Sequence, residues 1–182
     1  MKPIVHSSEI IHENPWYRIR RDELTWPNGK PGQYFVCEFN PSVLVICEEN
    51  GKLLLVEQYR YTIDQLSLEF PMGGCKDGED PMDAARREVE EETGQKPERL
   101  ELIGHYYQTN GALRAEQFVY VAKGLRPSIK ALDDSESDMK ILWLDMDNWR
   151  MRIRDGRVTD CDSIAAWAIY ESWNTDQITG CI

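Results

Sequence analysis

The chain has 182 residues, 32 acidic against 21 basic, for a formal net charge of −11. This length suits one domain, with room for a small N-terminal subdomain, and can bury a real core. The acidity opposes any function that gathers polyanions, so no nucleic-acid partner is expected.

The five cysteines, Cys37, Cys47, Cys75, Cys161 and Cys181, are odd in number and form no CxxC pair. They read as free thiols in a reducing cytosol, not as a disulfide framework or zinc ribbon. The opening stretch MKPIVHSSEIIHENPW holds no apolar run of signal-peptide type, and no segment approaches the ~20 apolar residues of a membrane span. A cytoplasmic protein with no membrane partner is expected.

In chain order, WYRIRRDELTW, QYFVCEF, SVLVICEE and KLLLVEQYRY are short, rich in β-branched and aromatic residues, and separated by PNGKPG, NP and ENG. They predict strands joined by turns. Residues 80–93 follow a glycine-rich loop, carry proline in the first turn and end just before Gly94, which predicts a helix. Strands are predicted again at LELIGHYYQT, EQFVYVAKGL and MKILWLD. A second helix is predicted over 160–173, with Ile164, Ala165, Ala168 and Ile169 as its apolar positions. The order is strands, helix, strands, helix.

The first helix concentrates negative charge. At 100° per residue, with Glu88 at zero, Glu92 falls near 40° and Glu91 near −60°. Met82, Ala85 and Val89 form an apolar stripe between roughly 60° and 120°, while Arg86 and Glu90 point to water, so the three carboxylates border the buried side. Clustered like charges destabilise a helix unless something offsets them. A hard divalent cation, which prefers carboxylate and carbonyl oxygens, would do so. Arg87, one turn before Glu91, is placed to hold that side chain in a chosen rotamer. A charge run alone is usually a solvated surface; the pair Gly73 and Gly74, preceded by EFP and leading straight into this helix, is what points to a site.

These residues resemble the Nudix hydrolase family, whose box is G-x5-E-x7-R-E-U-x-E-E-x-G-U with U apolar. Gly73, Glu79, Arg87, Glu88, Val89, Glu91, Glu92 and Gly94 fall in register, and Gln95 departs at the last position. VEQYRY, LEFPMGG, GHYYQTNGALRAEQFVYVAKGL and DSIAAWAIYESW resemble the branch that hydrolyses ADP-ribose and other nucleoside diphosphate sugars. The resemblance implies an α/β/α sandwich around a mixed sheet, with a small N-terminal antiparallel sheet. It also implies a homodimer in which residues 1–40 serve dimerisation and part of the substrate site, beside a catalytic domain at 41–182.

Roles follow from the same resemblance. Glu88 and Glu92, with the Met72 carbonyl, would ligate Mg²⁺ or Mn²⁺, and Glu91 would bind a second ion or its water. Arg87 would support the catalytic carboxylates, and a general base would come from DDSESD, with Glu136 favoured over Asp134 and Asp138. Arg60 would contact phosphate, since guanidinium matches phosphate oxygens bidentately; Glu69, Gly73 and Glu116 would line the substrate. Trp16 and Tyr17 are candidates to stack on the base, against a core role. The implied reaction splits ADP-ribose into AMP and ribose 5-phosphate. Asn110 before Gly111, where ADP-ribose enzymes of the branch commonly carry a Pro-Gly turn, keeps GDP-mannose and UDP-sugars as alternatives. A nucleotide-pool or RNA-cap enzyme of the same fold and an inert nucleotide sensor are further alternatives, the last opposed by the intact set of carboxylates.

Overall fold

A computed structural model of the chain describes residues 1–129 and 138–179, with side chains through residue 175. It resolves into two compact units, Met1–Pro41 with Tyr106–Gln117, and Ser42–His105 with Phe118–Ile182.

The first unit is a sheet ordered β1(Ile4–Glu13), β2(Tyr17–Thr25), β3(Pro31–Phe39), β9(Leu113–Arg114). β1 and β2 are antiparallel from Ile4 opposite Thr25 to Glu13 opposite Arg18, with irregularities at Val5/Ser7 and Ile10/His12. β2 and β3 are antiparallel, their turn admitted by Gly29 at φ 80°. The two-residue β9 adds a parallel pair to this otherwise antiparallel sheet. β1, which the strand pattern does not reveal, is exposed along its whole length. With neither face buried, it has no reason to alternate polar and apolar residues.

The second unit is built on a sheet ordered β11(Lys140–Asp145), β5(Lys52–Arg60), β4(Ser42–Glu49), β10(Glu116–Pro127), β8(Gln95–Tyr107); β6(Gln65–Glu69) pairs with β5 and β7(Met72–Gly74) with β4. Asn50 and Gly51, both at positive φ, make the tight β4–β5 turn that an Asn-Gly pair favours. The runs 43–47 and 53–56 are almost wholly buried, the signature of strands covered on both faces. On one face α1(Pro81–Thr93) packs Ala84, Ala85 and Val89 against Val43, Val45 and Cys47. Alternation sends Leu44 and Ile46 the other way, toward α3(Cys161–Thr179), whose Tyr170 hydroxyl donates to Glu48 at 2.9 Å. The layers are helix, sheet, helix.

Four expectations are corrected. A helix missed in sequence, α2(Met146–Arg154), follows β11. It is capped by Asp145 through the Asn148 amide and anchored by one fully buried residue, Trp149, against Phe70 and Trp167. One anchor in nine residues leaves no periodic pattern to read. On α3 the buried positions are Ser163, Ala166, Trp167 and Tyr170, while Ala168 is exposed. Burial of the large rings turns the helix away from the smaller aliphatic stripe. On α1, Met82 remains 40% exposed and Ala84 is buried in its stead, because burial is set by what lies opposite and not by the wheel angle alone. Arg86, expected to face water, is half-buried and donates to the Pro97 carbonyl at 2.9 Å.

Candidate active site

α1 is punctuated as expected. Asp80 accepts from the Met82 amide at 2.8 Å, Pro81 begins the helix, and Gly94 closes it at φ 64° with its N–H on the Glu90 carbonyl. This fixes the rotation of the acidic face, and the outcome is deeper than a border: Glu92 is 1% exposed and Glu88 8%, so both lie on the buried side. Glu92 accepts the Met72 amide at 3.3 Å, drawing the helix to β7. Gly73 stands opposite Glu88. A Cβ there would come within 2.3 Å of the Glu88 carboxylate, so the glycine is the space in which that carboxylate sits.

Arg87 organises the rim. Its guanidinium donates twice to Glu79 at 2.9 Å, to Glu88 at 2.6 Å, to Glu91 at 2.9 Å and to the Gly74 carbonyl at 3.0 Å. One cation thus spans three box carboxylates, one in the loop and two on the helix, the fork geometry that arginine supplies and lysine does not. The Arg87 guanidinium holds the Glu79 carboxyl down at about 2, and Glu79 in turn raises Arg87. Among the described residues, no three of these carboxylates converge within 4.8 Å; the one set of potential ligand atoms that does is Asp160, Cys161 and Asp162, where a thiol interrupts the oxygens. The α1 set, by contrast, is all oxygen, two of its members are buried, and Gly73 admits the Glu88 carboxylate against the backbone. That chemistry fits a hard divalent cation.

At the end of β5, Arg60 makes a bidentate pair with Glu69, Nε to Oε1 at 2.9 Å and Nη2 to Oε2, while Gln58 approaches the same carboxylate at 3.4 Å. Glu69 is buried, and the Arg60 side chain keeps 39% of its surface exposed. Arg60 is raised first by this bond, and it also lies in the fields of Asp160 and Glu92. Sequence reasoning missed Asp160. Burial pushes its carboxyl up, the Ser163 bonds pull it down, and Glu69 and Arg60 act on it with opposite signs. The available signal was Asp160 opening the helical stretch DCDS, a capping residue.

Trp16, Tyr17 and Glu116 belong to the first unit. Trp16 is 77% exposed. Tyr17 is half-buried between Phe39, at 5.5 Å between ring centroids, and His12, at 5.7 Å. Glu116 lines a cavity of about 290 Å³ with Arg18, Glu38, Phe39, Tyr107 and Arg114. At its floor is buried Glu38, paired to Arg18 at 2.7 Å, Arg114 at 3.5 Å, and Arg20. Burial opposes ionisation of Glu38, and the arginines outweigh it, leaving its carboxyl below the ordinary value. Nothing in the sequence marked Glu38 or Arg114. Glu136, with Asp134, lies outside the described residues; Asp138 is exposed.

The three-layer scaffold sets a partly buried, all-oxygen carboxylate face against a glycine pair, a donor set suited to a hard cation. Comparison with known proteins agrees. Residues 39–160 match the NUDIX domain, and residues 4–37 match the nucleoside diphosphate sugar hydrolase N-terminal domain. The chain is 31% identical over 162 residues, 87% of each chain, to the methanol dehydrogenase activator of Bacillus methanolicus. It is 29% identical over 162 residues, 87% of this chain and 78% of the other, to the ADP-ribose pyrophosphatase of Mycobacterium tuberculosis. In fold it superposes on a crystal structure of ADP compounds hydrolase with a TM-score of 0.87, at 19% identity, over 97% of this chain and 96% of that one. The chain belongs to the Nudix family and is a pyrophosphohydrolase.

Proposed function

We propose that this enzyme hydrolyses the diphosphate linkage of a nucleoside diphosphate sugar, with ADP-ribose, yielding AMP and ribose 5-phosphate, as first choice. The observation that carries it is the face of α1, where Glu88 and Glu92 lie buried beside Gly73 and the Met72 amide. Support for the substrate class comes from the match of residues 4–37 to a nucleoside diphosphate sugar hydrolase domain and from the ADP-ribose pyrophosphatase relative.

Glu88, Glu92 and the Met72 carbonyl would hold Mg²⁺ or Mn²⁺, with Glu91 at a second ion. When bound, such ions neutralise the diphosphate and polarise the attacking water. Arg60 turns its exposed end from Glu69 to a phosphoryl oxygen, which frees Glu69 to accept from substrate. Arg87 bridges Glu88 and Glu91 through one nitrogen, which holds both carboxylates in place before substrate arrives. Glu136 is the proposed general base, worth ~10²- to 10⁴-fold. In the first unit, Trp16 and Tyr17 offer ring faces to the base, and Glu116 a carboxylate to the ribose. Residues 1–40 are proposed to dimerise and contribute to the site, with catalysis in 41–182. Among the described residues no helix is long and apolar enough to cross a membrane, and no disulfide joins the four described cysteines; a cytoplasmic location is proposed on the thiols.

Asn110 and Gly111 stand in a turn where Thr109 takes φ 38° and its carbonyl accepts from Ala112 at 2.9 Å. This turn, formed without proline, favours keeping GDP-mannose and UDP-sugars as the second reading. The test is a substrate panel of ADP-ribose, GDP-mannose, UDP-glucose, NADH, diadenosine polyphosphates and oxidised dGTP with Mg²⁺, scored for nucleoside monophosphate. The expected result is highest kcat/KM for a sugar nucleotide; preference for a nucleoside triphosphate overturns it.

A further inference from the structure

Between Glu69 and Gly73 the backbone passes through Phe70, Pro71 and Met72. Pro71 has no amide hydrogen, and three of the remaining backbone groups of this stretch are each taken by a different element. The Phe70 N–H donates to the Ser163 hydroxyl of α3 at 3.0 Å. The Pro71 carbonyl accepts from the Val45 amide of β4 at 2.9 Å. The Met72 N–H donates to Glu92 of α1 at 3.3 Å.

The α3 contribution is the least expected. Ser163 is fully buried on a helix face otherwise filled by Ala166, Trp167 and Tyr170. Burying a hydroxyl is unfavourable unless it is bonded, so a serine here is justified by its bond and not by packing. Asp160 fixes that serine: its carboxylate accepts the Ser163 amide at 2.7 Å and its carbonyl the Ile164 amide at 3.2 Å. The same cap lies within the field of Arg60 and Glu69. A chain of bonds therefore runs from the first turn of α3 to the peptide that follows Glu69 and precedes Met72.

We propose that Ser163, oriented by Asp160, is a positioning residue of the reaction centre, setting the distance at which Glu69 and the Met72 carbonyl face the carboxylates of α1. This rests on the cation and substrate assignments above. Ser163 touches no reacting atom; it acts through the Phe70 peptide. Loss of a bond in such a supporting shell typically costs about 10- to 100-fold in metal affinity or activity.

The test compares wild type with Ser163→Ala and Ser163→Thr by four measurements: Phe70 amide exchange by NMR, Mn²⁺ affinity by EPR, kcat and KM for ADP-ribose, and thermal melting. Ser163→Ala is expected to speed Phe70 exchange, weaken Mn²⁺ about 10-fold and lower kcat about 10- to 100-fold, with KM changed less than about twofold. Ser163→Thr, which keeps the acceptor, is expected to restore all three. Faster exchange with Mn²⁺ affinity and kcat unchanged overturns the proposal, as does a loss of activity that only follows a lower melting temperature. Should Ser163→Ala not fold, Ser163→Cys, which keeps the shape with a weaker acceptor, is read in the same way. If wild type cleaves no sugar nucleotide, the substrate assignment fails on its own. The Mn²⁺ affinities then decide this proposal, a 10-fold weakening supporting it and no change overturning it.

Discussion

Glu92 combines two properties that oppose each other in a structural residue, near-complete burial and a charge set among other carboxylates. A buried carboxylate is costly, and its Met72 bond is one a neutral amide oxygen could make equally well. Glu92→Gln therefore keeps the backbone bond and removes only the charge. It should leave the melting temperature equal or higher and lower kcat by at least about 10²-fold, the scale of losing one electrostatic group at a reacting centre. Near-normal turnover in a steady-state assay rules out the ligand role. Glu79 makes a different residue-scale prediction. Its folded value of about 2 lies below the ordinary 4.5 because Arg87 bonds it. Between those values the unfolded chain binds the extra proton, so the contribution is fully present above about pH 4.5 and lost as pH falls toward 2. Urea denaturation at pH 7, 4.5, 3 and 2 should show wild type losing more stability over that window than Glu79→Gln; parallel curves refute the coupling.

The meeting of α1 with β7 depends on Gly73. An alanine Cβ would collide with the Glu88 carboxylate and not with backbone, and the far end of a flexible side chain gives way cheaply. Gly73→Ala should therefore fold, melt within a few degrees of wild type, and bind Mn²⁺ at least about 10-fold more weakly because Glu88 has been pushed aside; a large loss of stability with intact affinity contradicts this. Elements were legible in the sequence where chemistry marks both ends, as in α1 with Asp80, Pro81 and Gly94, and where a strand is buried on both faces, as in β4 and β5. They were illegible where burial supplies no period. β1 is exposed throughout, α2 hangs on Trp149 alone, and the phase of α3 is set by burial of Trp167, which meets Trp149 of α2, and of Tyr170 beside it. The box carboxylates were legible because spacing alone places them on one face. The Arg60 pair with Glu69 was not, since it depends on a tertiary partner, whereas the Asp160 cap is local and its signal went unused.

For the molecule as a whole, the edge strand β1 poses the problem to be solved. It is ten residues long, lacks lysine and proline, and exposes Ile4, Val5, Ile10 and Ile11. Such an edge is a template for pairing unless it is blunted or covered. A second copy is the proposed cover. The net charge of −11 opposes it, because two like-charged copies repel across any distance that salt does not screen. Raising ionic strength from about 0.02 to 0.3 M shortens the Debye length from roughly 20 to under 10 Å, so dimerisation should tighten with salt, the reverse of an association held by opposite charges. Analytical ultracentrifugation of wild type is expected to show a dimer whose dissociation constant falls as salt rises. Ile10→Glu, which puts another charge on an exposed position of β1, should shift it toward monomer at every salt concentration. If residues 1–40 complete the site of a partner, hydrolysis should fall with the dimer fraction and not with total protein. A wild-type monomer at full activity would remove β1 from the account of the site and leave its exposed isoleucines to another partner.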